Sequence, residues 1–281
     1  MAITGRTRLL ALIADPVAQA RSPAAVNRLL AERGRGGDFV MVAAKVAPER
    51  LANAVSGLRA IDSFAGAVVS MPHKETIVPL LDGLTEEATL TRVVNVFRRE
   101  ADGRLVGTIL DGEGFVAGLR GAGHEVRGAR CLLVGAGGAA TAIAFRLARE
   151  RCGELTIVNR TAARGEALAA RVRAAFPGVA VITAASADLA RRDLDLAING
   201  TSLGMNIGDP LPLPLDVVRR TQLVAECVAA VEITPLLAAA RDAGRAIHTG
   251  VPMLTAQLEL LVDFLVGGER SQSDAIVRRS P

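Results

Sequence analysis

The stretch LLVGAGGAATAIAFRLA, residues 132–148, constrains the fold more than any other part of the chain. A short apolar run stops at a cluster of glycines, and apolar residues then continue at helical spacing. A buried strand should therefore turn directly into a helix. Gly135, Gly137 and Ala140 stand in a G-x-G-x-x-A pattern. In that pattern the first glycine makes the tight turn, the second lets a diphosphate approach the backbone, and the small third residue lets helix and strand pack closely. Gly135, Ala136, Gly137, Gly138 and Ala139 would then present backbone N–H groups to the diphosphate at a helix N-terminus.

The next apolar run ends about twenty residues on, where an NAD site usually carries an acid for the ribose 2′-OH. Here it ends in Asn159-Arg160-Thr161, with Arg164 close behind. A planar guanidinium pairs with a 2′-phosphate, which a carboxylate would repel. NADP is therefore expected ahead of NAD. The competing reading makes Arg160 and Arg164 ordinary solvated arginines in an arginine-rich chain.

Strand-like runs alternate with helical patterns elsewhere too. TRLLALIA (7–14), DFVMVAAKV and FAGAVVS read as strands, and APERLANAVSGLRA as a helix. SPAAVNRLLAERG (22–34) reads as a helix with Ser22 as N-cap and Pro23 at its first position. Asp102-Gly103 between two short runs reads as a hairpin. From residue 129 a second series follows: ARCLLVG, ELTIVN, VAVITAA and DLDLAING as strands, with helices between them and a last apolar helix, MLTAQLELLVDFLV. Alternation of this kind argues for an α/β fold with parallel sheets covered by helices. Two series imply two α/β domains flanking a cleft, the second of Rossmann type, and 281 residues suffice for both.

Composition narrows the partners. With no Trp or Tyr and seven Phe, the chain lacks the stacking groups of a single-stranded nucleic-acid binder. Its net charge of +4 is spread rather than gathered into a basic block, so nucleic acid is not expected. Cys131, Cys152 and Cys227 are odd in number and widely spaced, and His73, His124 and His248 are scattered, so neither a disulfide framework nor a metal site is expected. The N-terminal run LLALIA is shorter than the ~7–15 residues of a signal-peptide core. No stretch reaches the ~18 uncharged apolar residues of a membrane span. A cytoplasmic location is expected, with no membrane partner.

Only two lysines, Lys45 and Lys74, stand among 33 basic residues. Arginine stays protonated in proteins, whereas a lysine can be shifted into acid–base service. Lys74 follows the strand end in VVSMPHK and is a candidate for that chemistry; the alternative is a solvated lysine at a helix start. Asp111, in GTILDGEGF, ends a short strand before a helix. It reads equally as a carboxylate coupled to Lys74 and as a plain helix N-cap.

These residues together resemble the shikimate dehydrogenase family, from about Leu9 to Phe264. DPVAQARSPAAVN resembles its Ser-x-Ser-Pro turn, VVSMPHK its Asn-x-Thr-x-Pro-x-Lys segment, VVNV with Asn95 its Ala-x-Asn-Thr segment, and GTILDGEGF its Gly-x-Asn-Thr-Asp-x-x-Gly-Phe segment. Gly135–Ala139, Asn159–Thr161, Asn199–Met205, ITPLLAAARDAG and TGVPMLTAQLELL are similar to further family segments. The resemblance implies a substrate-binding catalytic domain over 1–111 completed by 251–281, and an NADP-binding Rossmann domain over 112–250. It implies reversible hydride transfer between nicotinamide and the C3 carbon of shikimate or 3-dehydroshikimate. Lys74 and Asp111 would be the catalytic pair, and Ser22, Ser70, Asn95 and Gln257 would meet the substrate. Thr201, Gly250 and Met253 would join the cofactor set. The partner is expected to be a small anionic cyclic hydroxy acid, and a homodimer is allowed for.

The chain also departs from the pattern. Ala20 replaces the first serine of the turn, Val68 an asparagine, Ser70 a threonine, Ile109-Leu110 an Asn-Thr pair and Ala229 a tyrosine. Polar substrate contacts are thus fewer, which admits quinate or aminoshikimate as substrate. It also admits an NADP-binding regulator with a decayed pocket. A methylenetetrahydrofolate dehydrogenase ranks lower, because the chain has no Tyr or Trp to stack a pterin.

Overall fold

The computed structural model describes residues 2–18, 20–184, 193–267 and 276–278. Residues 268–275 and 279–281 of the expected C-terminal completion, and the last residue of VAVITAA, lie outside them. The chain divides into two compact units, Met1–Leu110 with Leu258–Pro281, and Asp111–Gln257.

In the first unit, β1 (Arg8–Ala14) lies between β2 (Phe39–Lys45) and β3 (Phe64–Val69), parallel to both. All six residues of β3 are buried, as expected of a strand covered on both faces. The sheet continues through β5 (Val96–Arg99), β6 (Leu105–Thr108), β4 (Gly83–Thr85) and β13 (Ile276–Arg278). This sheet is mixed, with β1–β2, β1–β3 and β4–β6 parallel beside the hairpin expected at Asp102-Gly103. The Asp102-Gly103 turn joins β5 to β6 as a hairpin, and a hairpin can only pair its strands antiparallel. β5 also runs antiparallel to β3, and β13 to β4.

Helix α1 (Ser22–Glu32) buries Val26, Leu29 and Leu30, spaced three or four residues apart as one helical face requires. That face joins a core of Leu10, Leu12, Phe39, Met41 and Val68. Ser22 is not the N-cap. Arg21 already has helical dihedrals and its carbonyl accepts from Ala25, so the helix starts one residue earlier than the Ser-Pro signal suggests. The expected helix at 47–60 opens as a 3-10 turn, Pro48–Arg50, before α2 (Leu51–Arg59). Residues 83–91, which carry no strong period, form β4 and α3 (Glu86–Thr91), capped by Thr85.

The second unit opens with α4 (Asp111–Gly121), followed by β7 (Arg130–Val134), α5 (Gly138–Arg149), β8 (Glu154–Val158), α6 (Ala162–Ala175), β9 (Ala180–Thr183) and β10 (Leu194–Asn199). It continues with α7 (Leu215–Arg219), β11 (Thr221–Glu226), α8 (Pro235–Asp242) and β12 (Ala246–His248). All strand pairs are parallel, in the order β9-β8-β7-β10-β11-β12. Numbered along the unit, that order is 3-2-1-4-5-6, with the reversal of strand order between β7 and β10. The last helix, α9 (Val251–Val266), crosses the division at residue 257; Leu261, Val262, Phe264 and Leu265 belong to the first unit's core. None of the described helices is long and apolar enough to cross a membrane.

Candidate active site

In the first unit Ser70, Lys74 and Asn95 lie around the end of β3 and the start of β5. Ser70 follows β3, and its N–H donates to the Ile13 carbonyl of β1 at 2.9 Å. The chain then turns, with His73 N–H on the Ser70 carbonyl and Ile77 N–H on the His73 carbonyl. The His73 imidazole is wholly buried, and its Nε2 lies 2.8 Å from the carbonyl of Val46. This turn carries Lys74, half-buried, and the Lys74 carbonyl accepts from Val94 N–H at 2.9 Å. The other lysine is different in kind: Lys45 is largely exposed and pairs with Asp15 at 3.6 Å, which accounts for it as a surface ion pair.

Asn95 follows Val94 and is buried. Its N–H donates to Thr108, and its side-chain oxygen accepts from Leu110 N–H at 2.9 Å. Lys74, Asn95 and Leu110 are thereby linked through β5 and β6, and Asp111 is the next residue along the chain. Asp111 is the first residue of α4, and it is 2% exposed. Arg146 of α5 pairs with Glu113, two residues after Asp111, and with Glu150 one turn along its own helix at 2.7 Å, which ties the start of α4 to α5. Three of the positions that depart from the family pattern share an environment. Val68 belongs to the first unit's apolar core, with Ala20 and Leu110 packed against it. Ile109 is buried, and Ser22 is half-buried. Gln257 is buried on α9, with its Cβ against Gly114 of α4.

In the second unit the glycine-rich turn leaves β7 at the switch point. Gly135 has φ +117°, and a Cβ there would stand 2.9 Å from the Gly200 carbonyl oxygen, so only glycine fits. Gly137 is the N-cap of α5 with no side chain capping it, and the space a Cβ would take there is open. Half-buried Gly138 and Ala139 begin the helix. This is a fitting cradle for a diphosphate: uncapped N–H groups at a helix start, with room beside the backbone. At the end of β8, Asn159 donates to the Thr161 carbonyl at 2.8 Å, and no carboxylate stands in the Asn159–Thr161 turn. Arg160 is exposed, and the Arg164 guanidinium lies 3.4 Å from the Ala136 carbonyl, beside the glycine turn. Both arginines suit a 2′-phosphate. After β10, Thr201 donates from its N–H and its hydroxyl to Asn199 Oδ1, at 3.0 and 2.7 Å. Gly250 packs against the Val228 backbone, and Met253 is buried.

Two buried ionisable groups of this unit escaped the sequence reading. Glu226, at the end of β11, is fully buried, and burial raises its carboxyl above the usual range. His248, at the end of β12, is held below the usual histidine range by burial and then by His124. The only signal for Glu226 is one carboxylate closing an apolar strand, TQLVAE. Cys131 and Cys152 are buried, and Cys227 is half-buried.

The chain was compared with known proteins. A family model for the shikimate dehydrogenase substrate binding domain matches residues 12–97, and one for shikimate / quinate 5-dehydrogenase matches 120–203. The chain is 40% identical over 278 residues to the shikimate dehydrogenase (NADP(+)) of Geobacter metallireducens, covering 96% of this chain and 94% of that protein. It is 40% identical over 256 residues to the enzyme of the same name from Rubrobacter xylanophilus, covering 91% and 89%. Among solved structures, shikimate 5-dehydrogenase from Listeria monocytogenes in complex with shikimate and NAD is similar, with TM-score 0.84, 31% identity and 96% and 95% of the two chains covered.

Proposed function

The chain belongs to the shikimate dehydrogenase family, and we propose that it catalyses the reversible, NADP-dependent oxidation of shikimate to 3-dehydroshikimate. The Gly135–Ala139 turn with Arg160 and Arg164 would hold NADP, whose nicotinamide would supply the hydride acceptor for the carbon that bears the reacting hydroxyl. Lys74 takes the hydroxyl proton as the carbonyl forms and returns it in the reverse direction. Asp111 orients the ammonium and balances its charge. Ser22, Ser70, Asn95 and Gln257 hold the substrate. Residues 1–111 with 251–281 make the substrate domain and residues 112–250 the NADP domain. The proposed place of action is the cytoplasm.

One observation carries this reading. The Lys74 carbonyl is tied to Val94, and the next residue, Asn95, is tied to Leu110, which precedes Asp111. The lysine turn and the residue leading into the aspartate thus share one set of strand ends. The NADP(+)-named relatives and the arginines after β8 support the cofactor.

A second reading, in which a related acid such as quinate is the better substrate, rests on the departures at Ala20, Val68 and Leu110, which leave fewer polar contacts for shikimate. The description of the matched family includes quinate. Initial rates of NADP reduction with shikimate, quinate and aminoshikimate decide between the two. A kcat/KM highest for shikimate supports the first reading; no turnover of any of the three removes both. Ala20→Ser should lower KM for shikimate several-fold at nearly constant kcat, because an added bond to bound substrate is worth ~0.5–3 kcal/mol and acts uniformly.

A further inference from the structure

Glu226 sits where the parallel sheet of the second unit ends. The register pairs it with Asn199, the last residue of β10. Its Oε1 accepts from Thr234 Oγ1 at 2.7 Å and from Asn199 Nδ2 at 3.4 Å. The same Asn199 amide donates to the Leu203 carbonyl at 2.9 Å, while its oxygen receives both donors of Thr201. Thr234 in turn caps α8 by accepting from Leu237 N–H. The loop after β10 is therefore tied to one buried carboxyl through Asn199, and farther along it Gly204 packs so closely on Thr234, the carboxyl's other donor, that a Cβ there would stand only 3.3 Å from the threonine side chain. The other end of this arrangement is the cofactor turn. Gly200 donates to the Val134 carbonyl at 2.8 Å, and Thr201 and Gly200 lie against the bare Cα of Gly135.

We propose that Glu226 is a positioning residue for the cofactor: it sets Asn199, and through Asn199 places Gly200 and Thr201 against the Gly135 turn, so that NADP affinity depends on it. The inference rests on the NADP-binding reading of this unit. Burial raises the Glu226 carboxyl above the usual range, against the two hydrogen bonds it accepts, which pull the other way. Among the described residues its second oxygen, Oε2, has no hydrogen-bonding partner. A glutamine side chain can take the same place with the same Oε1 acceptor, whereas leucine removes the acceptor and leaves Asn199 and Thr234 unmatched.

The test is calorimetric titration of NADP into the full chain, with steady-state kinetics and thermal unfolding alongside. Glu226→Leu should weaken the Kd for NADP by about tenfold, the scale of one or two lost buried hydrogen bonds. The KM for shikimate and the kcat at saturating NADP should change less than about twofold. Glu226→Gln should restore the Kd to within about twofold of the unmodified chain. Thr234→Val, which keeps the carboxyl and removes one donor, should weaken the Kd a few-fold and serves if Glu226→Leu does not fold. A carboxyl that merely stabilises the fold would lower the unfolding temperature of Glu226→Leu, or of Thr234→Val in its place, and leave Kd unchanged; that result overturns the proposal. So does a Glu226→Gln protein as weak for NADP as Glu226→Leu. If the unmodified chain binds no NADP, the reading of the whole unit fails, which the same titration distinguishes.

Discussion

The side-chain oxygen of Asn95 accepts the backbone N–H of Leu110 at 2.9 Å, and Leu110 leads directly into Asp111. A buried amide that holds the residue before the proposed catalytic carboxylate acts on that carboxylate through the backbone. Asn95→Ala leaves a part-buried N–H without its acceptor, at a cost of roughly 1–3 kcal/mol. The expected outcome is a fall of several degrees in the unfolding temperature and a lower kcat, with NADP affinity unchanged. Calorimetric melting and initial-rate kinetics check it; an unchanged melting temperature would show that the bond carries no stability.

Lys74 is the acid–base group of the proposed reaction. Lys74→Ala should lower kcat by about 10²–10⁴-fold. Lys74→Arg should fail as well, since a guanidinium does not release its proton. NADP titration should give the same Kd for all three proteins, because Lys74 belongs to the first unit and the glycine turn to the second. A near-normal kcat in Lys74→Arg would remove the assignment.

The exposed Arg160 and the turn-bound Arg164 stand where a 2′-phosphate is expected. Each charge-assisted contact is worth roughly 1.5–3 kcal/mol, or about 10–100-fold. Arg160→Ala should erode most of the preference for NADP over NAD, measured as the ratio of kcat/KM values for the two cofactors. Equal values in the unmodified protein would count against both arginines.

His248 makes stability fall in acid. Burial and the nearby His124 lower its folded pKa below the unfolded value of about 6.5. The native state therefore prefers neutral imidazole, and its contribution is present above about pH 6.5 and lost as pH falls through the lower, folded value. The urea midpoint should drop between about pH 7.5 and pH 5, and His248→Gln should drop less over the same interval. Parallel pH dependence in the two proteins would place the acid sensitivity elsewhere.

Residues close in sequence determined much of this protein before any tertiary contact is considered. The run to Val134, the turn at Gly135 and the helix from Gly138 follow from apolar period and from the freedom of glycine, and both act over a few residues. The Asp102-Gly103 hairpin and the alternation of strands and helices in the second unit are local in the same way. Even there, short range misleads at the margins: Ser22-Pro23 marks a helix start, but Arg21 takes the helical conformation first. Tertiary structure alone decided the rest. The mixed order of the first sheet depends on which strands pair across the chain, and β4 has too few residues to announce itself. Glu226, Asn199 and Thr234 meet only because β10 and β11 lie parallel in one register, and burial raises that carboxyl above its usual range. Asn95 is tied to Leu110, fifteen residues away, by a bond that no periodicity encodes. Pairing, register and burial are properties of the assembled sheet, and they set which of the polar residues face one another and what charge they carry.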